Sequence, residues 1–419
     1  MRGPMAEWLR RGLQILAPGF DSRSGLHFLS GSSQRLLPSS LTTANRGWRG
    51  CAGCCHAAGV TSSLTGVERR FSMAFSHLFK LASTDLAIDL GTANTVVYAR
   101  GRGIVINEPS VVAMELHDGV RRVRAVGADA KLMMGKTPAY LKTIRPLRNG
   151  VIADLEVAEQ MIKHFIHKAN GGHSRFTRGP QIVICVPSGS TQVERRAIRD
   201  AASNAGASSV SLLVEPIAAA IGAGLSVITP TGSLVVDIGG GTTEVGVISL
   251  KGLTYSMSAR VGGDKMDDAI AQAIRRNHGL LIGDATAEKI KKELGTARVP
   301  AGSQSRCALV RGRDVARGVP REIEISQDEL VDALRDPVGQ IMQAVRRALE
   351  NTAPEIAADI IDGGIMMTGG GSLLPQIDGL LADETGLQVT IADNPLMCVA
   401  LGAGRALEDP EYAGALTQS

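Results

Sequence analysis

Residues 85–106 read Asp85-Leu-Ala-Ile-Asp89-Leu-Gly91-Thr92-Ala93-Asn94-Thr-Val-Val-Tyr-Ala-Arg-Gly101-Arg-Gly103-Ile-Val-Ile106, and the same pattern returns later in the chain. The second copy runs Ser233-Leu-Val-Val-Asp237-Ile-Gly239-Gly240-Gly241-Thr242-Thr-Glu244, then Val245 to Ser249, a Lys251-Gly252 turn, and Leu253 to Met257. In each copy an apolar strand ends in a carboxylate, glycines follow at once, a Thr stands beside them, and two more strands follow. Glycines such as Gly91, Gly239, Gly240 and Gly241 let backbone N–H groups approach an anion, and the hydroxyls of Thr92 and Thr242 can join them. One Asp-x-Gly after a strand is an ordinary turn signal. Two copies in matched contexts form an internal repeat, and they predict two related α/β domains that offer their loops to one shared ligand.

Carboxylates beside a polyanion make chemical sense only with a divalent cation between them. A nucleoside triphosphate with Mg2+ meets this need, because Mg2+ keeps most of its waters and takes only one or two carboxylates besides phosphate oxygens. Asp89 and Asp237 are the candidates for holding it.

A third glycine cluster, Thr368-Gly369-Gly370-Gly371-Ser372, follows the apolar run 364–367 and precedes a helical pattern from Leu373 to Leu381. Alone it is a strand-to-helix turn; after two phosphate loops it reads as the place where a flat base and sugar lie against bare backbone. The amphipathic segment Ala287 to Leu294 can reach the ribose from the opposite wall, although by sequence alone a solvated helix face is the stronger reading. Between the loops, Pro216 marks a helix start with Glu215 at its cap. The helix dipole already favours an acid there. Its functional alternative is to orient water for attack on the γ-phosphate, since phosphoryl transfer depends chiefly on positioning and charge neutralisation. Residues 194–205 and 395–407 pattern as connector helices, the second with close-packing Gly402, Ala403 and Gly404.

The 419 residues, 44% hydrophobic and 21% charged, suffice for two sizeable cores. The net charge of +4 is uneven. Residues 1–72 hold nine Arg, no Lys and three acids, leaving 36 basic against 38 acidic residues in the remainder, so the main body has no charge signature of nucleic-acid binding. No apolar run is long enough to span a membrane. Cys51, Cys54 and Cys55 cluster near the start, but no second ligand pair completes a zinc site and His56 comes one place late for a haem motif; Cys185, Cys307 and Cys398 are scattered, as in a reducing cytoplasm.

Residues 1–72 carry both tryptophans and no helical or strand period. They read as a presequence or, preferred, as sequence ahead of a true start at Met73. From there Phe75, Leu78, Phe79 and Ala82 form a short apolar stripe, which either packs on the domain or lies in a membrane surface.

These motifs resemble the actin, Hsp70 and sugar-kinase superfamily, and within it the chain is similar to the MreB family of bacterial actin-like rod-shape proteins from about Met73 to Leu407. The residues that carry the resemblance are 88–95, 107–112, 144–154, 192–198 and 237–245. The resemblance implies an actin-like α/β fold of two related domains around a nucleotide cleft. Its divisions are an extension 1–72, an amphipathic segment 73–83, domain I at 84–217 with an inserted subdomain at about 105–147, domain II at 218–387 with one at about 254–321, a connector helix at 388–411 and a tail at 412–419. It implies ATP and Mg2+ as ligands, with Thr92, Ala93 and Asn94 on the phosphates, and Gly240, Gly241 and Thr242 on their other side. Glu288, Lys289, Ile290 and Lys291 would enclose the nucleoside with Gly370, Gly371 and Ser372, while Glu215 and Thr242 position water.

The implied function is slow ATP hydrolysis coupled to assembly of paired protofilaments, cytoplasmic and peripheral on the inner face of the cell membrane. Partners would be further copies of the chain, the cell-wall elongation machinery and membrane-bound morphogenesis proteins, with no nucleic acid. Membrane contact would come from Phe75, Leu78 and Phe79, or from Phe176 in the loop 171–179. Residues 1–72 and 299–310 depart from the family pattern. The rival readings are a sugar-type kinase, which needs an additional aspartate base, and a chaperone-like ATPase, which needs a peptide-holding domain.

Overall fold

Alternation along the repeated strands sets the frame of the molecule. In β1 (Leu86–Leu90), Leu86, Ile88 and Leu90 pack into one core while Ala87 packs into another, so successive side chains serve opposite faces of the sheet. β2 (Asn94–Ala99) and β3 (Gly103–Pro109) continue antiparallel. An excursion then builds a separate small sheet from β4 (Val112–His117), β5 (Val120–Val126) and β6 (Leu141–Ile144), in the order β5-β4-β6, packed on the helix Ala128–Met133. A short hairpin of β7 (Leu147–Arg148) and β8 (Val151–Ile152) leads into the helix Leu155–Ala169. β9 (Gln181–Val186), the helix Gln192–Asn204 and β10 (Ser209–Val214) complete a five-stranded sheet of order β10-β9-β1-β2-β3. The structure, a computed structural model, describes residues 84–117, 120–171, 179–300, 302 and 304–417. The extension 1–72, the stripe with Phe75, Leu78 and Phe79, and Phe176 lie outside the described residues.

The second copy repeats this plan. β11 (Ser233–Ile238), β12 (Thr243–Ser249) and β13 (Gly252–Ala259) form the antiparallel unit. The helices Gly263–His278 and Asp284–Leu294 accompany a small sheet of β14 (Leu280–Leu281), β15 (Cys307–Asp314) and β16 (Pro320–Ser326). The helices Gln327–Glu350 and Pro354–Gly363 precede β17 (Ile365–Thr368), and the helix Ile377–Thr385 precedes β18 (Val389–Ile391). β17 and β18 add parallel, giving the order β13-β12-β11-β17-β18. The two sheets share one topology, including a register shift at the matched places Val97/Tyr98 and Val247/Ile248.

Three cores stack across these sheets. The outer face of the first sheet buries Leu86 and Ile88 against Met161, Phe165 and Ile198 of its helices. The outer face of the second buries Leu234, Val236 and Ile238 against Ile270 and Ile341. Between them, Ala87, Val183 and Leu213 of one sheet and Val235 and Ile248 of the other share a core with the helices Glu215–Gly222 and Cys398–Glu408. Those helices touch backbone to backbone: a Cβ on Gly222 would lie 1.8 Å from the carbonyl oxygen of Cys398, and one on Gly402 1.8 Å from that of Ala218.

Some element ends differ from the sequence reading. The connector helix begins at Cys398 rather than Pro395, and the helix expected from Leu373 splits. Gly370–Leu373 forms a single 3-10 turn, and the α-helix starts at Ile377, after Pro375 and after Gln376 with φ of 67°. Glu215 is the first helical residue, with Val214 at the cap position. In the second repeat the positive φ values of the hairpin fall on Leu250 and Lys251, not on Gly252.

Gly402→Val forces the central helices apart, and an overpacked core loses about 1 to 3 kcal/mol. Denaturant unfolding is expected to show that loss; an unchanged midpoint overturns the close-packing account.

Candidate functional site

The parity that buries Ala87 and Val235 on the inner faces of their sheets puts Asp89 and Asp237, two residues further along each strand, on those same inner faces. Each carboxylate sits beside the turn that follows its strand. The two turns then pack on each other. A Cβ on Gly240 would fall 2.7 Å from the Cβ of Ala93, and one on Gly241 would fall 2.6 Å from Oγ1 of Thr92. Any side chain at either position would therefore push the loops apart.

Two further turns complete the floor. Asn149 and Gly150, at φ of 49° and 75°, join β7 to β8, and the N–H of Gly150 donates to Oγ1 of Thr92 at 3.2 Å. Gly369, at φ of 79°, carries the third glycine cluster across the end of β11, where a Cβ would stand 2.7 Å from Oδ1 of Asp237. Thr368 donates its hydroxyl to that same oxygen at 2.8 Å.

Together these elements enclose a cavity of about 500 Å³, a size that suits a small-molecule ligand. Of the expected residues, Asp89, Gly91, Thr92, Ala93, Asn94, Glu215, Asp237, Gly239, Gly240, Gly241, Thr242, Glu288, Lys291, Gly369, Gly370 and Gly371 line it. Three expected residues do not. Lys289 faces solvent and Ile290 is buried in the second core, because a helix that presents Glu288 and Lys291 at i and i+3 turns the two residues between them away. Ser372 is fully buried and donates its hydroxyl to the carbonyl of Gly369 at 2.7 Å, closing its own turn.

The floor is strongly acidic. Burial, and then the charge of Asp237, push the Asp89 carboxyl up to about 7. Burial pushes Asp237 up to about 6, with the Thr368 hydrogen bond opposing and Glu244 adding to the rise. Glu215, only 9% exposed, is raised well above the ordinary carboxylate range by burial and then by Glu244, Asp89 and Asp237. Burial also raises Glu244, against hydrogen bonds from Ser188 and Ser258.

The cations at the cavity are already engaged. Lys131 pairs with Glu288 at 2.8 Å, Arg145 with Asp264 at 3.0 Å, Lys291 with Asp267 at 2.9 Å and Lys292 with Glu288 at 2.7 Å. The first two pairs cross the mouth, from the part of the chain that carries β4 to β6 to the helices that precede β15. A floor of carboxylates beside bare backbone N–H groups suits a cation bridging to a polyanion. Among the described residues no group of three or more His, Cys, Asp or Glu could hold a metal ion, so an ion here would draw further ligands from the polyanion itself.

The Asn149-Gly150 hairpin, Lys131, Arg145 and Asp264 were missed as site residues. Asn-Gly between Leu147-Arg148 and Val151-Ile152 is the signal for a two-residue turn with positive φ at both positions, and it could have revealed the hairpin. The ion pairs have no such signal, since Lys131 and Glu288 meet only through tertiary structure.

The family model described as MreB/Mbl protein matches residues 83–414. The cell shape-determining protein MreB of Escherichia coli K12 is 54% identical over 328 residues, which is 78% of this chain and 94% of the relative. The cell shape-determining protein Mbl of Bacillus subtilis 168 is 47% identical over 325 residues, 78% of this chain and 96% of the relative. Among solved structures, MreB5 of Spiroplasma citri bound to AMPPNP superposes with a TM-score of 0.72 at 36% identity, covering 78% of this chain and 96% of that one.

Because Asp89 and Asp237 titrate above their unfolded value of 3.8, the folded protein takes up protons as pH falls through this range. The contribution of these two groups to the stability of the ligand-free protein therefore declines as pH rises from about 4 to about 7. Asp237→Asn is expected to flatten that decline and to raise the melting temperature at neutral pH; melts with an unchanged slope refute the charge-strain account.

Proposed function

The chain belongs to the MreB/Mbl family, and from that premise we propose that it is an ATP-binding and ATP-hydrolysing bacterial actin homologue that forms membrane-associated filaments and organises cell-wall synthesis to maintain rod shape. The observation that carries this reading is the placement of Asp89 and Asp237 on one cavity floor, between two abutting glycine turns.

In this reading the triphosphate lies along the backbone N–H groups of residues 91–94 and 239–242. Asp89 and Asp237 are the residues that would hold Mg2+, which would supply the positive charge that lets a polyanion rest beside acids. The nucleoside lies against Gly369 to Gly371, with Glu288 and Lys291 opposite. Glu215 and Thr242 orient the attacking water, Glu215 from the first turn of its helix. Residues 84–217 and 218–387 act as two lobes around the nucleotide, with 388–411 returning to the first. Closure of the lobes over ATP changes the end surfaces of the subunit, so the nucleotide biases the assembling shape by its differential affinity.

A sugar-type kinase on this fold needs a carboxylate base free to face a substrate hydroxyl. The additional acids of the cavity, Asp264 and Asp267, are paired with Arg145 and Lys291, which favours water as the acceptor. The long match to the cell shape-determining relatives also favours the filament reading over a chaperone. No helix among the described residues is long and apolar enough to cross a membrane. Contact with the inner face of the cell membrane is assigned to Phe75, Leu78 and Phe79, with Phe176 as a second element, and further copies of the chain and the wall-elongation machinery are its partners.

Purified protein is expected to sediment with ATP and Mg2+ in the presence of liposomes; protein that stays monomeric at high concentration under those conditions contradicts the filament reading. Glu215→Ala is expected to keep ATP affinity while slowing phosphate release on the order of a hundredfold. Unchanged turnover returns Glu215 to the role of a helix-start acid.

A further inference from the structure

Glu244 takes no part in the phosphate chemistry described above, yet it is fully buried next to it. It stands on β12 directly across from Asp237 of β11. Its Oε2 accepts two hydrogen bonds from Ser188, from the backbone N–H at 3.0 Å and from the hydroxyl at 2.6 Å. Its Oε1 accepts the hydroxyl of Ser258. Ser188 lies just beyond β9 of the first sheet, whereas Ser258 lies on β13 of the second. One carboxylate thus ties the two sheets together at the back of the cleft.

The neighbouring residues make the seam tight. A Cβ on Gly189 would come within 3.0 Å of the Cβ of Ser258. On the same face of β12 as Glu244, two residues on, Gly246 leaves room for Pro216, whose Cβ would be 2.4 Å from a Cβ built there. Pro216 follows Glu215 at the start of its helix. The strand face that holds the seam also seats the helix that carries Glu215.

We infer that Glu244 is a positioning residue: by gathering Ser188 and Ser258 onto one carboxylate it holds the back of the cleft in register and keeps Glu215 where it can orient the attacking water. The inference rests on the ATPase reading proposed above. Hydrogen bonds inside a protein are stronger than in water, and a buried acceptor with its donors in place confines the groups around it. Glu244 is not among the residues that line the cavity. It acts through the two serines and through β12. Displacement of a catalytic group by about 1 Å is enough to cost about a hundredfold in rate.

The test compares wild type, Glu244→Ala, Glu244→Gln and the double variant Ser188→Ala with Ser258→Ala. The readouts are affinity for a non-hydrolysable ATP analogue and the single-turnover rate of phosphate release. Glu244→Ala is expected to bind within about threefold of wild type and to hydrolyse more slowly by about tenfold or more. Glu244→Gln keeps an oxygen for Ser188 and a donor for the Ser258 hydroxyl, and is expected to recover most of the rate. The double serine variant keeps the acid, removes two of its three donors and gives the same split by a route that survives even if Glu244→Ala fails to fold. Parallel loss of affinity and rate in that variant, an unchanged rate, or a Glu244→Gln rate as low as that of Glu244→Ala each overturns the inference. Wild-type protein that binds the analogue but releases no phosphate from ATP overturns the ATPase reading itself, and this inference with it.

Discussion

Two carboxylates, Asp89 and Asp237, line one cavity at the ends of matched strands, and most of the structure can be understood as the means of holding them there. Asp89 and Asp237 repel, and each is raised in pKa by burial. Like charges in such a place are tolerable when protonated or when a cation neutralises them. The fold keeps them together because each closes a strand whose other residues are fixed in a core, so neither can retreat without withdrawing Ala87 or Val235 from the central layer. The strain is local, and the apolar packing that opposes it is spread over both sheets.

The central helix pair is the second requirement. Gly222 and Gly402 let the helices Glu215–Gly222 and Cys398–Glu408 meet at backbone distance, and Gly404 admits the ring of Tyr98 in the same way. This thin spacer keeps the inner faces of the two sheets close enough for their turns to touch. A thicker spacer would leave Ala93 and Gly240 apart, and the cavity would lose its continuous floor. The cavity wall obeys a different rule: Lys131, Arg145, Lys291 and Lys292 share three carboxylates, Glu288, Asp264 and Asp267, whereas among the described residues the acids of the floor have no cation beside them. The partly exposed pairs Lys131–Glu288 and Arg145–Asp264 can exchange partners at modest cost.

Much of the site could be read in the chain. The Asp-x-Gly repeats mark two glycine turns of the cavity, the glycines after β17 mark the third, and Pro216 locates the helix of Glu215. Phase errors account for the misses. Carrying over a continuous run 288–291 ignored the helical period, which gives the cavity Glu288 and Lys291 but sends Lys289 to solvent and Ile290 to the core. Ser372 looked like a ligand-facing hydroxyl, and it is spent on the carbonyl of Gly369 instead. The helix expected from Leu373 did not allow for Pro375, before which the helical conformation is disfavoured.

What the sequence by itself determined is therefore the local grammar: strand parity, turn positions and the identity of the two acids, because these depend on backbone sterics and on side-chain periods within a few residues. What only the tertiary structure decided is which distant groups meet. The pairing of Lys131 with Glu288, the seam of Glu244 with Ser188 and Ser258, and the contact of Gly240 with Ala93 all join residues far apart in the chain. Such contacts follow from how two sheets and two helices share one core, and that sum of many weak packing terms leaves no pattern in any short stretch of sequence.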